Sequence, residues 1–169
     1  MSVAVRRLCV AVVLALVPGV VLAVEPDEMF SQLDACLDAA KQQQQGQVIR
    51  WELVGKQAPY AFEIDIISPD DRVWKMKCED AKVSNVERKT GIKNYNMLVS
   101  RAKVPELSAR FTAVGSFPVS EVQKMEYGLS WRGRPYYSYA MSLNDGREGT
   151  VDVNAETGQI DRSHSERKG

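Results

Sequence analysis

The side chains best suited to chemistry are few in this chain. His164 is the only histidine, and it sits in the polar run Ser163-His164-Ser165-Glu166-Arg167. Proton transfer or metal binding at an imidazole needs partners fixed around it, and a polar tail supplies none, so His164 reads as a solvated side chain. For the same reason no Ser-His-Asp or Cys-His arrangement can be assembled on ordered elements. Glu63 and Asp65 alternate on the outer face of a strand, where a carboxylate is solvated by default rather than paired for acid-base work. Gly-rich phosphate loops are absent. The expectation is no catalytic residue, no metal ligand and no cofactor. Recognition chemistry is a better match: Tyr136 is out of phase with Tyr137 and Tyr139, so it should face outward beside Arg132 and Arg134. An exposed tyrosine among arginines has the composition of an interface hot spot. Trp51, Trp74 and Trp131 fall in phase with the apolar faces of their strands and are expected to anchor the core, the alternative being an aromatic contact surface.

The elements that position these residues come in a repeated order. Met29, Phe30, Leu33, Cys36, Leu37 and Ala40 recur at the three- and four-residue spacing of one helix face, with Pro26-Asp27 suited to the start and Gly46 to the stop. Ile49, Trp51 and Leu53, then Tyr60, Phe62, Ile64 and Ile66, then Trp74, Met76 and Cys78 alternate with polar neighbours, predicting three half-buried strands; Asp80-Ala81 ends the third. Val104, Leu107, Phe111 and Val114 open a second run at helical spacing. Met125, Tyr127, Leu129 and Trp131, then Tyr137, Tyr139, Met141 and Leu143, then Val151 and Val153 supply its strands, with Asn144-Asp145-Gly146 as a hairpin turn. The fold class expected is α+β, two tandem modules, each a helix packed on a small antiparallel three-stranded sheet. The expected organisation is a signal peptide over 1–23, a first module over 24–90, a helical connection over 91–103, a second module over 104–162 and a flexible tail over 163–169.

The signal peptide is read from Arg6-Arg7, the apolar stretch Leu8 to Val17, and the small-residue site Val21-Leu22-Ala23. The apolar run is interrupted by Pro18-Gly19 and is shorter than the ~20 residues of a spanning helix, so no stable membrane anchor is expected after cleavage. Cleavage removes Arg6 and Arg7 and takes Lys+Arg from 22 to 20 against 22 Asp+Glu. A slightly acidic chain with no basic concentration argues against nucleic acid as a partner. Periplasmic or secreted localisation also explains the cysteines. Only Cys36 and Cys78 remain, an even number in an oxidising compartment, and both lie on apolar faces of their elements. A disulfide between them is expected; the alternative is two buried free thiols.

Tyr60-Ala61-Phe62-Glu63-Ile64, Asp71 through Ala81 and Val86-Glu87-Arg88 resemble the strand-turn-strand core and closing stretch of the PepSY domain family. Tyr139 through Leu143, Asp145-Gly146 and Val151 through Ile160 resemble a second copy, with Ser84 and Asn154 departing from the family pattern at the terminal turns. The resemblance implies a helix packed on a small antiparallel sheet outside the cytoplasm, and an exported, non-enzymatic protein that binds a protein or peptide and inhibits or modulates a peptidase. Two alternatives stand beside it: a periplasmic binding protein for a small ligand or ion, using the sheet face as its platform, and a structural component of the envelope.

Overall fold

The computed structural model describes residues 26–89, 97, 99–117 and 120–167. The expected signal peptide and the boundary segment Lys89 to Asn96, apart from Lys89 itself, lie outside the described residues. The element order is α1 (Pro26–Gln43), β1 (Gln47–Gly55), β2 (Ala61–Ile67), β3 (Val73–Glu79), β4 (Lys82–Lys89), α2 (Glu106–Ser116), β5 (Ser120–Leu129), β6 (Pro135–Leu143), β7 (Arg147–Asn154) and β8 (Ile160–Arg167). A helix followed by four strands therefore occurs twice.

The halves are not separate modules with sheets of their own. All eight strands form one sheet in the order β4-β3-β2-β1-β5-β6-β7-β8, and every neighbouring pair is antiparallel. The first strands of the two runs join them, with Arg50 opposite Glu126, Trp51 opposite Met125 and Glu52 opposite Lys124. This junction corrects the expectation of two three-stranded sheets. Its cause is packing: Trp51 and Met125, both fully buried, share the face the helices cover, so pairing β1 with β5 merges two small cores into one.

Each half also has a fourth strand that alternation did not disclose. β3 turns into β4 through Asp80 and Ala81, both at positive φ (50° and 54°); alanine seldom adopts that conformation, so the pair looked like a strand end. β8 replaces the expected tail. Asn154 Oδ1 accepts from the backbone N–H groups of Glu156 (2.9 Å) and Thr157 (3.1 Å), and Gly158 at φ 75° turns the chain back beside β7. His164 consequently lies opposite Thr150 on an edge strand, exposed, rather than in a loose tail.

One core runs across the sheet under both helices. Met29, Leu33, Cys36, Leu37 and Ala40 of α1 are buried against Leu53, Phe62, Ile64, Met76 and Cys78, as the helical spacing requires. Cys36 and Cys78 form a disulfide that ties α1 to β3. The second helix packs differently. Its buried residues are Ala109, Arg110 and Ala113, while Leu107 and Phe111 are 45% and 68% exposed. Beneath α2 lie the fully buried rings of Tyr137 and Tyr139, whose hydroxyls donate to the backbone carbonyls of Val104 (3.0 Å) and Glu106 (3.1 Å). Two large rings rising from the sheet leave room only for alanines on the helix face above them. The apolar stripe of α2 is turned aside from the sheet.

Candidate functional site

The face of the sheet away from the helices is polar. Arg50 pairs with Glu52 and lies 3.8 Å from Glu63 and 3.9 Å from Asp65; Lys75 reaches Glu63 at 2.7 Å and Lys89 reaches Asp65 at 2.5 Å. The Lys75 hydrogen bond holds the Glu63 carboxyl below the usual carboxylate range, assisted by the charges of Lys75, Arg50 and Lys77. Asp65 was expected to be solvated; it is only 4% exposed and its Oδ1 lacks a hydrogen-bond partner. The two carboxylates are held by cations in a ladder of ion pairs, an arrangement that neutralises a sheet face.

The recognition residues expected from sequence gather at the β5–β6 turn, with one correction. β5 ends at Leu129, so Trp131 is carried into the turn and is 87% exposed, not buried as a core anchor. Alternation places a side chain only while the strand lasts, and here Gly133 at φ 72° closes the hairpin early. Trp51 is buried as expected, and Trp74 is half-buried with Nε1 donating to Ser68 Oγ at 3.3 Å. The Arg132 guanidinium stacks over the Trp131 ring, 4.4 Å from its centroid. Arg132 and Arg134 are exposed, and among the described residues neither has a carboxylate partner. Tyr136, half-buried, is paired with Gly128, where an added Cβ would stand 3.4 Å from the tyrosine hydroxyl. The turn is held by Ser130 N–H to Arg134 O (2.8 Å), Gly133 N–H to Ser130 O (2.8 Å) and Arg101 Nη1 to Gly133 O (2.7 Å). Arg101 is itself fixed by Glu156 at 3.0 Å. A hydrogen-bonded turn thus presents an aromatic plate with Arg132 stacked upon it and Arg134 nearby, neither cation having a carboxylate partner among the described residues.

A second arrangement carries only a faint signal in the sequence. Between α1 and α2 runs a cleft of about 360 Å³, walled by Phe30, Ser31 and Asp34 on one side and Leu107, Arg110, Phe111 and Val114 on the other. Arg110 is 2% exposed. Its Nη2 lies 2.5 Å from Asp34 Oδ1 and 3.5 Å from Glu106 Oε2, its guanidinium is 5.0 Å from the Phe30 ring centroid, and its Nη1 has no acceptor. Glu106 Oε1 accepts from Trp51 Nε1 at 3.3 Å; burial pushes the Glu106 carboxyl up, against the lowering pull of Arg110. Burial also pushes the Tyr127 phenol up to about 12. An arginine on a helix normally reads as solvent-facing, so only the adjacent small residues Ala109 and Ala113 hinted that this face was the packed one. Among the described residues no cluster of three histidine, cysteine, aspartate or glutamate side chains could hold a metal ion. No helix among them is long and apolar enough to cross a membrane.

Among the described residues these features make an α+β protein, two helices on one antiparallel sheet. Residues 30–79 match the model of the PepSY family, described as peptidase propeptide and YPEB domain. The matched stretch begins in α1 and ends with β3, which includes both disulfide cysteines. The fold is shared with the crystal structure of a candidate lipoprotein from Clostridium difficile 630, at 12% identity and a TM-score of 0.50 over 77% of this chain and 88% of that one. The C-terminal domain of YpeB from Bacillus megaterium aligns with a TM-score of 0.32 and 11% identity over 83% of this chain and 66% of that one. No curated protein matches the sequence significantly.

Proposed function

We propose that this is an exported, non-enzymatic protein that binds a protein or peptide partner and thereby modulates a peptidase of the cell envelope. The observation that carries the binding reading is the β5–β6 turn, where Trp131 is 87% exposed with Arg132 stacked upon it. A large aromatic side chain held in water by a hydrogen-bonded turn is the composition of a binding hot spot. The peptidase part of the reading rests on the family whose model matches residues 30–79, and export on the N-terminal charge and apolar pattern. The test is capture from an envelope extract with the disulfide-intact protein, beside Trp131→Ala, Arg134→Ala and Tyr136→Ala, followed by a peptidase assay with the captured enzyme. Loss of a captured peptidase in the variants, together with altered peptide hydrolysis, is the expected result. Capture that is unchanged in all three variants would discard the turn as the contact.

A small ligand is the second reading. The sheet face offers it charged ladders rather than an apolar groove, but a cleft of about 340 Å³ beside the C-terminal part of α1 suits it better, with Leu37, Val48 and Val99 in its lining and Lys41 and Lys103 also contributing. Retention of an anionic amphiphile by the purified protein, released by Lys103→Ala, would favour that reading.

A further inference from the structure

We infer that the cleft between α1 and α2 is a second binding site, taking a bulky apolar side chain of an uncharged, extended peptide segment whose backbone carbonyl accepts from Arg110. The first ground is the reversed amphipathicity of α2. Leu107, Phe111 and Val114 recur at four and three residues, the spacing of a helix face built for packing, yet Leu107 and Phe111 are 45% and 68% exposed while alanines meet the sheet. The second, independent ground is Arg110, which is 2% exposed, contributes to the wall of that cleft and leaves Nη1 without an acceptor. A buried donor without a partner is costly, and an occupant that brings an acceptor recovers part of that cost.

Charge selects the occupant. Arg110 already faces Asp34 and Glu106, so an added carboxylate would be repelled by both and an added cation would compete with Arg110 for them. A neutral acceptor meets neither objection. Backbone carbonyls in the middle of a helix are consumed by the helix itself, whereas those of an extended segment are free. The volume, at the lower end of the ~300–1,000 Å³ of ligand pockets, suits one or two side chains rather than a cofactor. This inference shares with the proposed function only the premise that the partner is polypeptide, and it does not involve the Trp131 turn.

The test is titration of the intact protein with acetylated, amidated octapeptides carrying central pairs of leucine, isoleucine, valine, phenylalanine or methionine, read by fluorescence anisotropy and by the side-chain NMR signal of Arg110. At least one neutral peptide is expected to bind and to shift the Arg110 signal. The Leu107→Ala/Phe111→Ala variant, whose changes lie on exposed side chains and leave the core untouched, is expected to bind it about tenfold more weakly or worse; a glutamate-containing peptide should bind more weakly than its neutral counterpart. Binding unaffected by that variant, no binding by any peptide, self-association through the same residues, or attachment to phospholipid vesicles in place of peptide binding would each overturn the inference. Because the probes are short peptides, their failure leaves capture at the Trp131 turn to be judged on its own variants.

Discussion

Reduction of the Cys36–Cys78 bond should cost this protein a large part of its stability. The cysteines are 42 residues apart in sequence, and in the chain-entropy model a crosslink of that span removes about 13 cal/mol/K from the unfolded chain, or about 4 kcal/mol at 25 °C. Both residues are essentially without solvent contact, so reduction leaves two thiols packed where the bridge was and changes the folded state little. The effect should therefore appear in the unfolded state. In urea titrations followed by the fluorescence of buried Trp51, the reduced protein should lose about 4 kcal/mol and show a steeper urea dependence, because an uncrosslinked unfolded chain exposes more surface. By heat the same difference corresponds to a fall of about 8–16 °C for a chain of this length. The bond ties α1 to β3, so hydrogen exchange should accelerate first in β3 and β4. A loss below about 1 kcal/mol with an unchanged urea dependence would refute the reasoning, placing the value of the bond somewhere other than in restraint of the unfolded chain.

The remaining predictions concern single side chains. Trp131→Ala should leave unfolding free energy within about 0.5 kcal/mol of the parent, since the ring is 87% exposed; a larger loss would mean the ring has a structural role. Glu106→Gln addresses the raised carboxyl. A folded-state pKa above the unfolded value gives stability that is present at low pH and lost as pH rises through the folded value, so the variant should gain on the parent as pH rises above the ordinary glutamate range; parallel pH profiles in urea would contradict the assignment. Glu63 has the opposite sign. Its lowered pKa gives stability present above the ordinary glutamate range and lost as pH falls through the folded value, a contribution that Glu63→Gln should abolish from the acid limb. Gly46→Ala should destabilise by about 1–3 kcal/mol, because a Cβ there would stand 2.1 Å from the backbone oxygen of Ile67; a neutral outcome in thermal unfolding would show that the β1 entry can shift.

What the sequence disclosed follows from which signals survive in a single chain. Helix α1 and six strands were legible because each buries one face and keeps one in water, which writes a period of 3.6 or 2 directly into residue types. The disulfide was legible for the same reason, both cysteines falling on buried faces. β4 and β8 are edge strands; β4 is exposed except for half-buried Val83, and residues 160–164 of β8 are exposed, so neither shows a clear alternation, and the turn into β4 uses an alanine in a conformation no propensity anticipates. The fusion of two sheets depends on pairing between β1 and β5, which lie far apart in sequence and whose patterns fit an edge as well as a centre. At the β5–β6 turn, the exposure of Arg132 and Arg134 was legible in the sequence, whereas Tyr136, expected to face outward, is half-buried. Trp131 was misplaced because strand length is not written in phase, and the cleft was missed because α2 pairs its alanines, not its larger apolar residues, with the tyrosines of β6.

The junction of β1 with β5 also sets an order of events. A chain delivered N-terminus first to the place where it folds presents α1 and β1 to β4 before β5. During that interval β1, with Trp51 at its centre, is the rim of a four-stranded sheet rather than its interior, and its free N–H and C=O groups offer a template to any passing strand. Another nascent copy presents the same rim. The sheet order thus makes the arrival of Lys124, Met125 and Glu126 the moment at which the young chain stops being adhesive, and truncation between β4 and β5 would leave the β1 edge permanently open to association.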